Sequence, residues 1–181
     1  GLGDVYKRQV ALRMAHLAQN APVLGDDALD GVERTVGVAG RFGRRMTVGA
    51  GVLESYLGMI CDTPQAYEGQ PGFEFIRKVP TTWDETVVPA ASVMEYACVA
   101  RRKGTDWWIG AINNSMPRKV EFRADFLGDG TYTAEIYTDT DETATDPNRL
   151  EKRTVTLRKG DMLTLPMAGS GGAAIHIYPT R

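Results

Sequence analysis

The stretch that decides the fold is "SVMEYACVARRKGTDWWIGAIN", Ser92 to Asn113. Met94, Tyr96 and Cys98 alternate with Glu95, Ala97 and Val99, the period of two expected of a strand. Lys103 and Gly104 interrupt the run, and "TDWWIGAIN" resumes it, so the pair reads as a β-hairpin. Working outward toward the C-terminus, the pattern continues in "RKVEFRADF" (Arg118 to Phe126), "YTAEIYTD" (Tyr132 to Asp139), "RTVTLRKG" (Arg153 to Gly160), "MLTLPMA" (Met162 to Ala168) and "AAIHIYP" (Ala173 to Pro179). Turn signals separate these runs at Asn113–Asn114, Gly128 to Gly130, Lys159 to Asp161 and Gly169 to Gly172. About seven short strands at near-regular spacing predict an antiparallel β-sandwich over roughly residues 87–181. Met94, Tyr96, Cys98, Ile136, Leu163 and Ile175 are expected to face its interior.

Toward the N-terminus the texture changes. "YLGMI" followed by Cys61 and Asp62 is a short apolar run ending at polar residues, as in a parallel-barrel strand. Pro64 suits a first helical turn capped by Asp62 or Thr63, Pro71 and Gly72 interrupt it, and "FEFIRKV" resumes with Phe73, Ile76 and Val79 on one face until Pro80. The fold class expected is therefore mainly β, a C-terminal sandwich preceded by a β/α unit within residues 46–86. Residues 1–9 contain "DVYKRQ", which looks like a translated adapter end. Residues 10–45 have weak periodicity, and either a frame-shifted translation of GC-rich DNA or a short helix near Leu12 to Leu17 fits them.

Composition bounds the function. The 181 residues are 43% hydrophobic and 24% charged with a formal net charge of −2, so a soluble globular protein with its own core is expected. Lys and Arg are scattered among Asp and Glu without a basic stripe, which argues against a nucleic-acid partner. No apolar run approaches the ~20 residues of a membrane span. Cys61 and Cys98 either form one disulfide or, as preferred here, stand as two thiols, and no Cys/His cluster has metal-ligand spacing.

"VPTTWDET" (Val79 to Thr86) raises the sharpest functional question, since an indole precedes two adjacent carboxylates. Tryptophan faces stack on sugars, and paired carboxylates hydrolyse glycosides. In an extended segment Asp84 and Glu85 would point to opposite faces, whereas hydrolytic carboxylates stand roughly 5–10 Å apart across the sugar. The reading instead is that Asp84 or Glu85 caps a turn or pairs with an arginine such as Arg101, with Trp83 largely buried at a domain junction. Asp62, at a strand tip, has a better claim to a place near substrate than Asp84 or Glu85, although capping the next helix is the preferred reading of it. Asp62, Trp83, Asp84 and Glu85 are thus the substrate-proximal candidates. Of Trp107 and Trp108, one faces the core. The other faces outward, where it either stacks on sugar or, as preferred, covers an interdomain surface. "DTDETATDP" (Asp139 to Pro147) is rich in oxygen ligands, but it lacks the glycine and spacing of a calcium loop and reads as solvated. His176 reads as a satisfied sheet residue.

Taken in order, "LESYLGMICDTPQAYEGQPGFEFIRKVPTTWDET" (53–86), "YACVARRKGTDWWIGAINN" (96–114) and "LPMAGSGGAAIHIYP" (165–179) resemble the C-terminal part of glycoside hydrolase family 97, the α-glucosidases and α-galactosidases. The resemblance covers roughly residues 46–181 and implies a parent of three parts: an N-terminal β-sandwich, a catalytic (β/α)8 barrel and a C-terminal β-sandwich. Residues 57–62 would be the last barrel strand and 65–79 the last barrel helix. It further implies that the catalytic residues and the calcium-binding glutamates lie upstream, so no catalytic or metal ligand is expected here and Ca2+ belongs to the parent. An oligosaccharide substrate, a homo-oligomer formed through the sandwich and a periplasmic or secreted location are implied in the same way. A free-standing carbohydrate-binding module, resting on Trp107 and Trp108, is the alternative.

Overall fold

The computed structural model describes Gly69, residues 72–144 and residues 150–180. Asp62, the expected barrel strand, the start of its helix and everything read in 1–45 lie outside the described residues. Within them, one short helix is followed by eight strands: α1 (Phe73–Lys78), β1 (Glu85–Ser92), β2 (Tyr96–Lys103), β3 (Asp106–Asn113), β4 (Arg118–Arg123), β5 (Thr131–Asp139), β6 (Leu150–Arg158), β7 (Met162–Met167) and β8 (Gly172–Pro179), with a 3-10 turn at Asp141–Ala144. Six strands form one antiparallel sheet in the order β1-β2-β3-β8-β5-β6, and β4 pairs with β7 in a second, two-stranded sheet.

The sandwich is lopsided. β4 and β7 cover one face of the large sheet, and there Val120, Phe122, Leu163 and Leu165 meet Cys98, Trp107, Ile109, Ile136, Ile175 and Ile177. Removing this apolar surface from water is the main stabilising term of the fold. On the opposite face α1 lays Phe75 against Val99, Trp108, Tyr137 and Ala174. The central strands are thus buried on both sides, which is why Ala97 to Ala100, Trp107 to Ala111 and Gly172 to Ile177 read as nearly unbroken small or apolar runs.

The expected interior holds for Cys98, Ile136, Leu163 and Ile175, and Tyr96 is half-buried against the same core. Met94 is a correction: it is 72% exposed. It sits not in β2 but in the preceding turn, with φ of 62°, so the alternation that begins at Tyr96 does not extend back to it. β1 is an addition to the seven strands read from sequence. "ETVVPAAS" has no alternation and carries Pro89, and pairing with β2 makes it a strand, with a register break between Val87 and Ala90. Within α1, Phe75 is the buried residue rather than Phe73 or Ile76. Val79, one turn on, packs at the margin of the same cluster. Cys98 is a free thiol whose burial raises its pKa, so it is inert packing.

Candidate functional site

The face of the large sheet under α1 carries the polar chemistry of the described residues. Strand register sets Thr86, Arg101, Trp108, His176, Glu135 and Thr154 side by side in one row across the sheet. In mid-row the Trp108 and His176 rings stack, with centroids 3.7 Å apart and planes 12° from parallel. Phe75 of α1 closes over Trp108 edge-on at 5.1 Å and reaches Tyr137 at 5.9 Å. The two adjacent tryptophans therefore part as strand geometry requires. Trp107 enters the core against Phe126 at 4.7 Å, and Trp108 lies under the helix. Both are 3% exposed, so neither offers an open platform to a sugar.

Charges fasten the helix to this face. Lys152 of β6 donates to Glu74 Oε2 at 2.7 Å and lies 3.6 Å from Glu135, while Lys78 approaches Glu135 at 3.9 Å. The bond to Lys152 holds the Glu74 carboxyl below its usual value and raises the Lys152 ammonium. His176 Nε2 stands 2.9 Å from Asp106 Oδ2, so the satisfied sheet histidine expected from sequence holds at one ring nitrogen only: Nδ1 is buried without a hydrogen bond, 4.0 Å from Glu135. Burial lowers the pKa of its ring, against an upward pull from Asp106 and Glu135. Because that pKa is depressed on folding, the ring's contribution to stability is complete above the ordinary histidine value and declines as pH falls below it.

The opening carboxylates have a different task. Asp84 stands in a bend just before β1, where Gly104 N–H donates to its Oδ2 at 2.8 Å and Lys103 Nζ to its Oδ1 at 3.1 Å. It braces the β2–β3 turn, in which Gly104 takes φ of 59°. Those bonds lower its pKa, Gly104 N–H most of all. Glu85 accepts from Arg102 Nε at 3.0 Å, and Arg102 also lies 3.9 Å from Asp84. The expectation that adjacent carboxylates point apart is corrected here, since both flank one guanidinium. The arginine is Arg102, because Arg101 lies on the other face, its guanidinium 5.7 Å from the Trp83 ring. A hydrolytic pair needs one carboxyl with a raised pKa, and Asp84, with its lowered one, does not supply it.

Trp83 is half-buried beside Val79 and Val88 at the edge of the α1 cluster, less covered than the largely buried residue expected. Trp83→Ala should accordingly cost about half of a full core truncation, ~2 kcal/mol, read from a thermal melt. A residue that sequence reading missed is Asp139, assigned there to a solvated loop. It is 4% exposed, and its Oδ2 accepts from Ala168 N–H at 2.8 Å and Gly172 N–H at 3.2 Å, pinning the β7–β8 turn. Gly171 leaves room for it, since a Cβ there would collide with Asp139 Oδ2 and the Ala168 carbonyl. The glycine run 169–172 was the one signal that something approaches closely.

Comparison with known proteins bears on this arrangement. Residues 82–178 match the family model described as "Glycosyl-hydrolase 97 C-terminal, oligomerisation". A protein of Bacteroides thetaiotaomicron named "Retaining alpha-galactosidase" is 35% identical over 127 residues, 70% of this chain and 19% of that one. Another from Streptomyces bingchenggensis, named "Probable retaining alpha-galactosidase", is 30% identical over 139 residues, 74% of this chain and 21% of its own. Among solved structures, a glycoside hydrolase family 97 enzyme of Pseudoalteromonas sp. strain K8 in complex with acarbose superposes with a TM-score of 0.70 at 32% identity, over 75% of this chain and 22% of the enzyme. The chain thus spans about a fifth of the length of the relatives it matches.

Proposed function

This chain belongs to the glycosyl-hydrolase 97 C-terminal family, and from that membership we propose that it is the C-terminal part of an exo-acting α-glycosidase. The parent would act on α-glucosides or α-galactosides, and the sandwich would serve assembly: it seats the catalytic barrel and brings copies of the protein together. The observation that carries the structural half is that the central strands of the large sheet are covered on both faces. β4 and β7 fill one face, and on the other α1 seats Phe75 between Trp108 and Tyr137. A carbohydrate-binding module would need an exposed aromatic platform, and both candidate tryptophans are buried. The seat under α1 is what a rigid junction between barrel and sandwich would use, with Trp83 at its margin.

The oligosaccharide substrate and the periplasmic or secreted location belong to the same proposal and rest on the family. So does calcium, as a cofactor of the parent. Among the described residues no group of three or more His, Cys, Asp or Glu side chains converges to hold a metal ion.

The test is catalytic. The purified 181-residue chain should not hydrolyse aryl α-glucosides or α-galactosides, with or without calcium, because hydrolysis needs an acid and a second carboxylate facing each other across the bond. Calorimetry should detect no oligosaccharide binding. Turnover well above buffer that Asp62→Asn abolishes would make the chain an enzyme in itself and overturn the assignment.

A further inference from the structure

The two edges of the large sheet are built differently. β1 carries Pro89 and a register break, two devices that spoil an edge for further pairing. β6 has neither: it pairs with β5 residue for residue from Leu150 to Arg158. Which of its peptide groups face outward follows from hydrogen bonds elsewhere in the sheet. Thr180 N–H donates to the Thr131 carbonyl at 2.9 Å, so Thr131 turns its peptide groups toward β8 and away from β6. Its partner Arg158 must then face outward, and its N–H is indeed taken by the Asp161 carboxyl at 2.7 Å. Stepping back by twos, Thr156, Thr154, Lys152 and Leu150 present N–H and C=O groups to the free edge. Among the described residues nothing pairs with them.

Two of the charges that could guard this edge are turned away from it. Lys152 reaches over one face to Glu74 and Glu135, and Arg153 Nη2 donates across the other face to the Thr164 carbonyl at 3.2 Å. Edges of this kind accept a further strand.

We propose that β6 pairs antiparallel with β6 of a second copy about a two-fold axis through Thr154, joining two six-stranded sheets into one. The family match to an oligomerisation domain points to a second copy as the occupant, and charge selects the register. Centred on Thr154, the facing pairs are Lys152 with Thr156, Arg153 with Val155 and Glu151 with Leu157, so no like charges oppose. Centring on Glu151, Lys152 or Arg153 sets that charge against itself. Centring on Val155 opposes Lys152 to Arg158, and centring on Thr156 opposes Arg153 to Lys159. Like charges directly opposite destabilise a strand pair. The proposal rests on the assembly reading above and names the surface that reading leaves open.

The experiment is sedimentation of the 181-residue chain and three variants. Thr154→Pro removes an outward N–H without touching the β5 ladder, Thr154→Lys sets like charges on the axis, and Thr154→Cys places a thiol there. Across the axis the Cα atoms would stand about 5.5 Å apart, within disulfide reach. The wild type should sediment as a dimer. Thr154→Pro and Thr154→Lys should be monomers that still melt in one cooperative transition, below the wild type by no more than the lost association accounts for, and mildly oxidised Thr154→Cys should run as a covalent dimer while Lys119→Cys, on β4, does not. A dimer that survives both charge and proline, with no cross-link at Thr154→Cys, would sink the β6 edge and leave assembly through another surface. A wild type that stays monomeric at all concentrations would sink the assembly reading itself, and this edge with it.

Discussion

Trp108→Ala is expected to destabilise the chain by about 3–5 kcal/mol, the range for truncating a buried aromatic, and to lower its melting temperature by roughly 10 °C. The indole is 3% exposed and holds two contacts at once, the stack on His176 and the edge-on contact with Phe75. Its loss leaves a cavity in the seat of α1, so the effect should be more than a loss of global stability. Hydrogen exchange at Phe73 to Val79 should quicken in Trp108→Ala, even under conditions where the sandwich stays folded. Trp107→Ala, which empties a site in the other core, should cost a similar amount while leaving exchange in α1 tied to global unfolding. A Trp108→Ala chain that melts with the wild type would mean an indole facing solvent, and would restore the sugar-stacking reading of this residue.

That contrast marks what could be read from residues alone. Alternation over Tyr96 to Ile112 places the hairpin, and the rule that neighbours in a strand face opposite ways separates Trp107 from Trp108. It could not say which of the two lies under a helix, because that depends on how far α1 reaches back over the sheet. Nor could period and spacing reveal β1. A strand interrupted by proline and a register break has little pattern of its own and is defined by its partner. The same rule misled at Asp84 and Glu85. It presumes extended backbone, and Asp84 sits in a bend, from which both carboxylates reach Arg102. Long-range polar contacts were the least legible. His176 and Asp106 are 70 residues apart in sequence, and nothing local to either points to the other.

Asp139 is the other position where a large effect is expected, of about 3–4 kcal/mol for Asp139→Ala. Its Oδ2 is the acceptor for two backbone N–H groups, those of Ala168 and Gly172. Deleting the carboxyl strands both, the Gly172 donor in a buried position and the Ala168 donor in a half-buried one, and each unsatisfied buried donor costs about 1–3 kcal/mol. Asp139→Asn keeps one accepting oxygen and loses the charge, so it should fall about midway. Gly171→Ala attacks the same corner from the other side, since the added methyl would occupy the space of Asp139 Oδ2 and press on the Ala168 carbonyl. Because the two substitutions disrupt one contact, their double variant should cost less than the sum of the singles. An oxygen-rich loop that binds calcium would behave differently: calcium would raise the melting temperature of the wild type, and Asp139→Ala would abolish that rise. The expectation is a melt indifferent to calcium and strongly sensitive to Asp139→Ala. Should Asp139→Ala melt like the wild type, the pinning role is wrong, and the β7–β8 turn must be held by its own backbone bonds, such as Gly171 N–H to the Ala168 carbonyl at 2.9 Å.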